Sequence, residues 1–328
     1  MNFLEFAVWG SYLTSLGNFL SRNGLAAEIG WFYAVQGLVS LFMPSVIGII
    51  ADRWIQAQRM LSLSHLLAGV FMAAAGVYCM TASSIEFAPL FTLYTLSVAF
   101  FMPTIGLANS VAFNALTKAN MDTIKDFPPI RIWGTIGFIC AMLFVNFVGP
   151  EGAHFQTSYM QLFTSAFFSF VLMFYALTMP KCPTSEVAKG ASVSESLGLN
   201  AFKLFKQKKM AIFFLFSMLL GVSLQITNGY ANPYITSFEN IPEFANAWAA
   251  RNANALISLS QISETLCILL IPICLKRFGI KGVMLMSMFA WVFRFGFFGA
   301  GNPDGGLWMF LLSCIVYGIA FCLLYTSP

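Results

Sequence analysis

The chain reads as an all-α membrane protein. Of its 328 residues 59% are hydrophobic and only 9% charged, against about 25% charged in an ordinary soluble domain. Ten apolar stretches are each long enough to cross a bilayer. The basic residues gather in alternate connections between those stretches, the mark of a polytopic chain with a fixed orientation.

Taken in order, the first stretch, 3–20, lacks a basic leader and carries Glu5, Ser11, Thr14 and Asn18. It is therefore expected as a retained span rather than a cleaved signal peptide. Spans two to six follow at 28–50, 60–81, 88–116, 129–149 and 157–179. The longest polar connection, 180–210, contains Pro, Gly and Ser and then a lysine-rich amphipathic piece, LNAFKLFKQKK, suited to the membrane surface. It predicts a division into an N-terminal six-helix bundle (1–179), a cytoplasmic linker (180–210) and a partial C-terminal bundle (211–328). The latter holds four spans, near 211–235, 253–275, 281–300 and 306–325. Thirteen of the 17 Lys and Arg residues lie in the connections after even-numbered spans, which puts those loops and the N-terminus in the cytoplasm. The formal charge of +4 is thus a topology signal, and nucleic acid is not an expected partner. Seven cysteines without a CxxC pair read as small core residues, so neither a disulfide framework nor a metal site is expected.

Polar groups inside the spans point to function. Glu264 lies in ANALISLSQISETLCILLIPICL, roughly 16 Å of helix from either end of its span and so at the bilayer midplane. An acid there costs several kcal/mol, and such residues line a pathway or hold a partner. Gln261 shares its face. Span five opens PPIRIWGTIGF, where Arg131, Thr135 and Phe138 at i, i+4, i+7 align a cation, a hydroxyl and a ring. Gln225 and Asn228 repeat the i, i+3 spacing on span seven, and Tyr317 and Phe321 stand i, i+4 on span ten. Amides and a carboxylate donate and accept several hydrogen bonds, and rings stack on a flat ligand. Each feature has a plainer reading. Arg131 can snorkel to headgroups from one turn inside its span, the amides can join helices, the rings can be packing, and Glu264 can belong to a structural ion pair. Arg294 reads as a brace within the bundle, and Glu5 as a hydrated residue near the span's end; His65 can shuttle protons, but a lone histidine in a span is more often hydrogen-bonded structure.

Two sets of motifs carry a resemblance. GIIADRWIQAQR (48–59) resembles the loop between helices two and three of the major facilitator superfamily, with Ile55 and Gln56 where the family has a glycine and a basic residue. The resemblance implies that Asp52 caps a neighbouring helix and Arg53 pairs with a carboxylate, latching the cytoplasmic face. DFPPIRIWGTIGF (126–138), KMAIFFLFSMLLG (209–221), LQITN (224–228), SQISETL (260–266) and IVYGIAF (315–321), with WGSYLTSLG (9–17) and FMPSVIGIIADRW (42–54), are similar to the bacterial nucleoside:proton symporters of that superfamily, in order and spacing. The fold implied is two helical-bundle halves, with about 10 of an expected 12 transmembrane helices present. The function implied is proton-coupled uptake of purine and pyrimidine nucleosides across the bacterial cytoplasmic (inner) membrane, by a monomer with the proton as coupling ion and no other cofactor. The substrate-binding residues implied are Arg131, Thr135, Phe138, Gln225, Asn228, Gln261, Glu264, Tyr317 and Phe321, and Glu264 is also expected to exchange the coupling proton. After the family's Ala-Phe on helix ten an acid is expected, where this chain has Cys322 and then LLYTSP. A natural protein continuing through two more helices, with residues from about 322 onward not native, is the expectation.

Rival readings are a facilitator-type porter for a sugar or drug, a membrane receptor that binds without accumulating, and a membrane-embedded hydrolase. The last lacks any HExxH, GxSxG or Gly-rich phosphate loop, and the protein is not expected to be an enzyme.

Overall fold

The computed structural model describes residues 1–150, 154–183, 206–268 and 271–322, and at Asp52, Ile124, Ile268, Ile271, Pro272, Ile280 and Cys322 the description stops at the backbone. Most of the predicted linker thus lies outside the described residues. The helices are α1 (Asn2–Gly10), α2 (Leu16–Arg22), α3 (Ile29–Arg53), α4 (Ala57–Thr81), α5 (Phe87–Lys118), α6 (Thr123–Phe147), α7 (Met160–Leu177), α8 (Lys208–Ser237), the single turn α9 (Trp248–Arg251), α10 (Ala253–Ile268), α11 (Ile271–Ala300) and α12 (Leu307–Cys322).

Among the described residues, seven helices are long and apolar enough to cross a membrane by those measures alone. The other three expected spans differ from that pattern for physical reasons. Span one is broken into α1 and α2 by a turn at 11–15, rich in hydroxyls that offer the backbone other partners. Ser11 Oγ, for example, donates to Ala7 O at 2.7 Å. The helix of span eight is described to Ile268 and resumes at Ile271, then ends at Gly279, whose φ of 65° needs a residue without Cβ; there the chain turns into span nine. Span ten is the 16-residue α12, short but strongly apolar.

In lipid the helices gain little from the hydrophobic effect, so close packing and interhelical hydrogen bonds must hold them. α4 packs on α5 and α7, α3 on α5, and α1 on α6 and α7; in the second group α12 packs on α10 and α11. The α1–α6 crossing is a backbone contact. A Cβ at Gly10 would stand 2.5 Å from Phe138 O, and one at Gly137 would fall on Phe3 O. The next crossing joins the two groups, because a Cβ at Gly17 of α2 would fall on Gly229 O of α8. Gly318 of α12 lies as tightly on Ser263 of α10.

A polar seam reinforces this join at the end away from the basic α3–α4 and α5–α6 connections. Thr14 Oγ1 and Asn232 Nδ2 both donate to Asn254 Oδ1, at 2.9 and 2.7 Å. Asn18 Nδ2 donates to Thr236 Oγ1 at 3.3 Å, and Asn146 Nδ2 to Asn252 Oδ1 at 2.9 Å. Arg22 and Glu239 close the rim at 2.7 Å.

The glycine crossings make a prediction. Gly137→Ala is expected to cost about 1–3 kcal/mol through overpacking and to lower the thermal midpoint in detergent. Gly221→Ala, in α8 with open space around the added methyl, should leave it unchanged or raise it slightly. Equal midpoints for the two variants would show that α1 and α6 are not held by backbone contact.

Candidate functional site

α6 presents Arg131, Thr135 and Phe138 along one face, and α1 lies against that face through the glycine crossing. The Arg131 guanidinium therefore sits over the Phe6 ring, 4.0 Å from its centroid, a cation–π contact that anchors the charge inside the bundle. Phe138 is buried, with its ring edge-on to Trp9 at 6.4 Å. Trp9 in turn leans on Phe101 at 6.2 Å, and its buried Nε1 has no acceptor. Thr135 is half-buried on the same face.

The second group of helices supplies the hydrogen-bonding side chains. On α8, Asn228 Nδ2 donates to Gln225 Oε1 at 3.4 Å. On α10, Gln261 Nε2 donates to the Tyr317 hydroxyl of α12 at 3.4 Å. The close approach of Gly318 to Ser263 makes that reach possible. The Tyr317 ring stacks on Phe321 with 14° between planes, and Trp291 of α11 meets it edge-on. Arg294, only 1% exposed, stands 4.5 Å from the Tyr317 centroid and 5.1 Å from that of Phe298, while its Nη1 donates to Ser313 O at 2.9 Å. The expected bracing role of Arg294 thus has a specific object, the wall that carries Tyr317.

The two sets meet where α10 packs on α6, and there the charge of Arg131 acts on Glu264. A cation from one group of helices and a carboxylate from the other share a half-buried space bordered by amides and rings. Such a set can accept and donate to hydroxyls and can cover a flat heterocycle.

Several features were not expected. Phe6 entered the sequence reading only as an apolar residue of span one, and Trp9 only as the first residue of the motif WGSYLTSLG, with no role at the site. Glu5 is not a hydrated end residue: it is 1% exposed, because α1 is enclosed by α4, α5 and α7. Its carboxylate faces His65 Nε2 at 3.0 Å and Thr104 Oγ1 at 2.6 Å. An acid and a histidine, each inside an apolar span, were the available signal; what they lacked was a sequence cue that the two spans touch. Of the residues assigned to a cytoplasmic latch, Arg53 is half-buried at the end of α3, and the side chain of Asp52 lies outside the described residues. The side chain of Cys322, where an acid was expected, lies outside them as well.

Comparisons with known proteins show the family and the fold. The sequence model of the family described as Nucleoside H+ symporter matches residues 1–328. The chain is 44% identical to the xanthosine permease of Escherichia coli (strain K12) over 324 residues, which cover 98% of this chain and 75% of that protein. To the nucleoside permease NupG of the same organism it is 43% identical over 326 residues, with the same coverage. It superposes on a crystal structure of the nucleoside transporter NupG with a TM-score of 0.87 at 42% identity, covering 98% of this chain and 78% of that one. A D-xylose-proton symporter matches with a TM-score of 0.63 at 11% identity, covering 99% and 80%, a likeness of fold alone. The helices thus have the major facilitator fold, and the chain belongs to the nucleoside H+ symporter family.

Proposed function

We propose that the faces of α6, α8, α10 and α12 bind the nucleoside in a protein whose work is proton-coupled nucleoside uptake. The observation that carries the assignment is the meeting of Arg131 and Glu264 across the two groups of helices. Nucleosides are neutral, so a site for them needs its own charges balanced while leaving donors and acceptors for ribose. Ionised Glu264 accepts ribose hydroxyls, with Gln261 and Gln225 beside it. Asn228 and Arg131 reach base edges, and Phe138 and Phe321 border the base plane. When Glu264 takes a proton, Arg131 loses its counter-charge, and the contact between the helix groups weakens. A protonation event is thereby linked to the opening and closing of the site, which alternating access requires.

In the same reading residues 1–179 and 211–328 act as the two moving halves around this site. The seam at Asn254, Asn232 and Thr236 parts when the site faces outward. The basic connections favour an N-terminus in the cytoplasm, in a bacterial inner membrane. The protein works as a monomer, accepts purine and pyrimidine nucleosides, carries no cofactor beyond the coupling proton and is not an enzyme. Counterflow of labelled uridine and adenosine in proteoliposomes tests the breadth directly. Exchange of one base class only would narrow it, and competition by sugars instead of nucleosides would favour a sugar porter.

Glu264→Gln keeps the shape of the side chain and removes its charge and proton. It is expected to abolish accumulation driven by a pH gradient and to weaken nucleoside binding. Accumulation ratios equal to the parent's would return Glu264 to a purely structural role. Phe138→Ala and Phe321→Ala should each weaken uridine binding by about 1–3 kcal/mol, with Tyr at either position milder. If both alanine variants fold and titrate like the parent by calorimetry, the rings are packing only.

A further inference from the structure

Glu5 is the only buried carboxylate among the described residues, and it lies outside the proposed nucleoside site. Its neighbours come from three other helices: His65 of α4, Thr104 of α5 and Ser169 of α7, each no more than 1% exposed. His65 Nε2 is 3.0 Å from Glu5 Oε2, and His65 Nδ1 is 3.0 Å from Ser169 Oγ. Ser169 Oγ also donates to the His65 carbonyl at 3.1 Å. Thr104 Oγ1 stands 2.6 Å from Glu5 Oε1.

Counting hydrogens in this cluster leaves two ways to fill it. If the single Ser169 hydroxyl hydrogen goes to Nδ1, a neutral His65 donates its Nε2–H to an ionised Glu5; if it goes to the His65 carbonyl, Nδ1 carries the hydrogen of the Nδ1–Oγ contact. A neutral imidazole then has a bare Nε2, facing a carboxylate that is also bare. Two acceptors at 3.0 Å with no hydrogen between them repel. With the Ser169 hydrogen on the carbonyl, the geometry closes when one further proton lies between Glu5 and His65, as imidazolium with carboxylate or as imidazole with carboxylic acid. Removing that proton leaves two outcomes. Either Nε2 and Oε2 separate, or the imidazole changes tautomer and takes the Ser169 hydrogen, abandoning the backbone carbonyl. A buried hydrogen bond is lost in both cases.

We propose that Glu5 and His65 form a second proton-binding site of the transport cycle, whose emptying loosens α1 from α4 and α7. His65 lies eight residues into α4, about 12 Å from the helix end that carries the basic connection. The proton therefore leaves to water at that face once the helices part; it is transferred whole, with no other bond made or broken. The charged groups around the pair are few. The Met1 amino group acts on Glu5 from the start of α1, Arg131 of α6 lies beyond Phe6, and α5 and α7 contribute the two hydroxyls at this point. α1 passes any movement on to the nucleoside site. Phe6, next to Glu5, lies under Arg131, and Trp9, one turn on, holds Phe138 and meets the Phe101 ring that also borders His65.

The proposal rests on proton-coupled transport by this chain, and the test has an arm that does not. Glu5→Gln mimics the loaded pair, since its amide donates to Nε2 and its carbonyl accepts from Thr104; folding and labelled-uridine counterflow should be kept. Accumulation under a pH gradient should fall to a ratio of about 1, that of an uncoupled carrier, and the pH dependence of net uptake should flatten. Thr104→Val removes one donor from Glu5 and should move the pH midpoint of net uptake alkaline by about half a unit, which keeps the idea testable if the first variant misfolds. In detergent and without nucleoside, a pH-dependent infrared band of the Glu5–His65 pair should be present in the parent chain and absent from Glu5→Gln. Parent-like accumulation in Glu5→Gln, loss of counterflow in proportion to accumulation, an unmoved midpoint in Thr104→Val, or the same infrared band in both proteins would each overturn the proposal. Absence of uptake by the parent with the band intact would instead count against transport by this chain and leave the proton site standing.

Discussion

The contact on which the structure depends is that of the first span with its neighbours, made backbone to backbone at Gly10, Gly137 and Gly17. No side chain can be inserted at these crossings without moving a peptide group. α1 and α2 therefore have one place, wedged between α6 on one side and α8 on the other. Every polar group of the span is aimed by that placement. Phe6 comes beneath Arg131, Trp9 beside Phe138, and Glu5 against His65, while Thr14 and Asn18 reach the second group of helices. The same contact makes the span a lever, because a rigid crossing transmits displacement where a soft one would absorb it.

Hydrocarbon makes the polar pattern costly, and the costs are met in different ways. At the seam, amides and hydroxyls from both groups of helices complete one another's bonds, an arrangement easily broken and remade when the groups separate. The exposed Arg22–Glu239 pair beyond it contributes little by comparison. Arg294 is handled differently. Its charge is spread over the Tyr317 and Phe298 rings and one carbonyl, so it remains a fixed brace for the wall of the site. Arg131 lies between these extremes, with Phe6 holding it and Glu264 facing it from another helix group. It is the cation whose environment changes most if the groups move.

In the proposed scheme, protonation and substrate recognition are arranged around the same helix. Glu264 meets the nucleoside side of α6 from α10, and Glu5 stands behind α1 on the far side of Phe6. Burying a carboxylate against a histidine is a demanding arrangement, since a partly satisfied cluster in a low dielectric is worse than none. Its place behind Phe6 and Trp9, rather than at a lipid-facing surface, is what the proposed coupling of the proton to α1 rests on.

The sequence by itself determined that the chain spans a membrane many times, roughly where the apolar spans lie, and which helix faces carry polar groups. These are properties of composition and of the 3.6-residue period, and they hold whatever the neighbours. It also supplied the motifs by which Arg131, Gln225, Gln261 and Glu264 were singled out together. Tertiary structure alone decided the rest. Span one is placed by Gly10 and Gly17, which meet backbone of α6 and α8, and no local signal marks which glycine faces another helix. Glu5 changed from an end residue to a buried one because three other helices close over it. Arg294 gained its object, and Trp9 its place beside Phe138, from helices distant in sequence. Periodicity says which face of a helix is polar; only packing says what that face meets, and for an acid in hydrocarbon the partner decides whether it carries a proton or a charge.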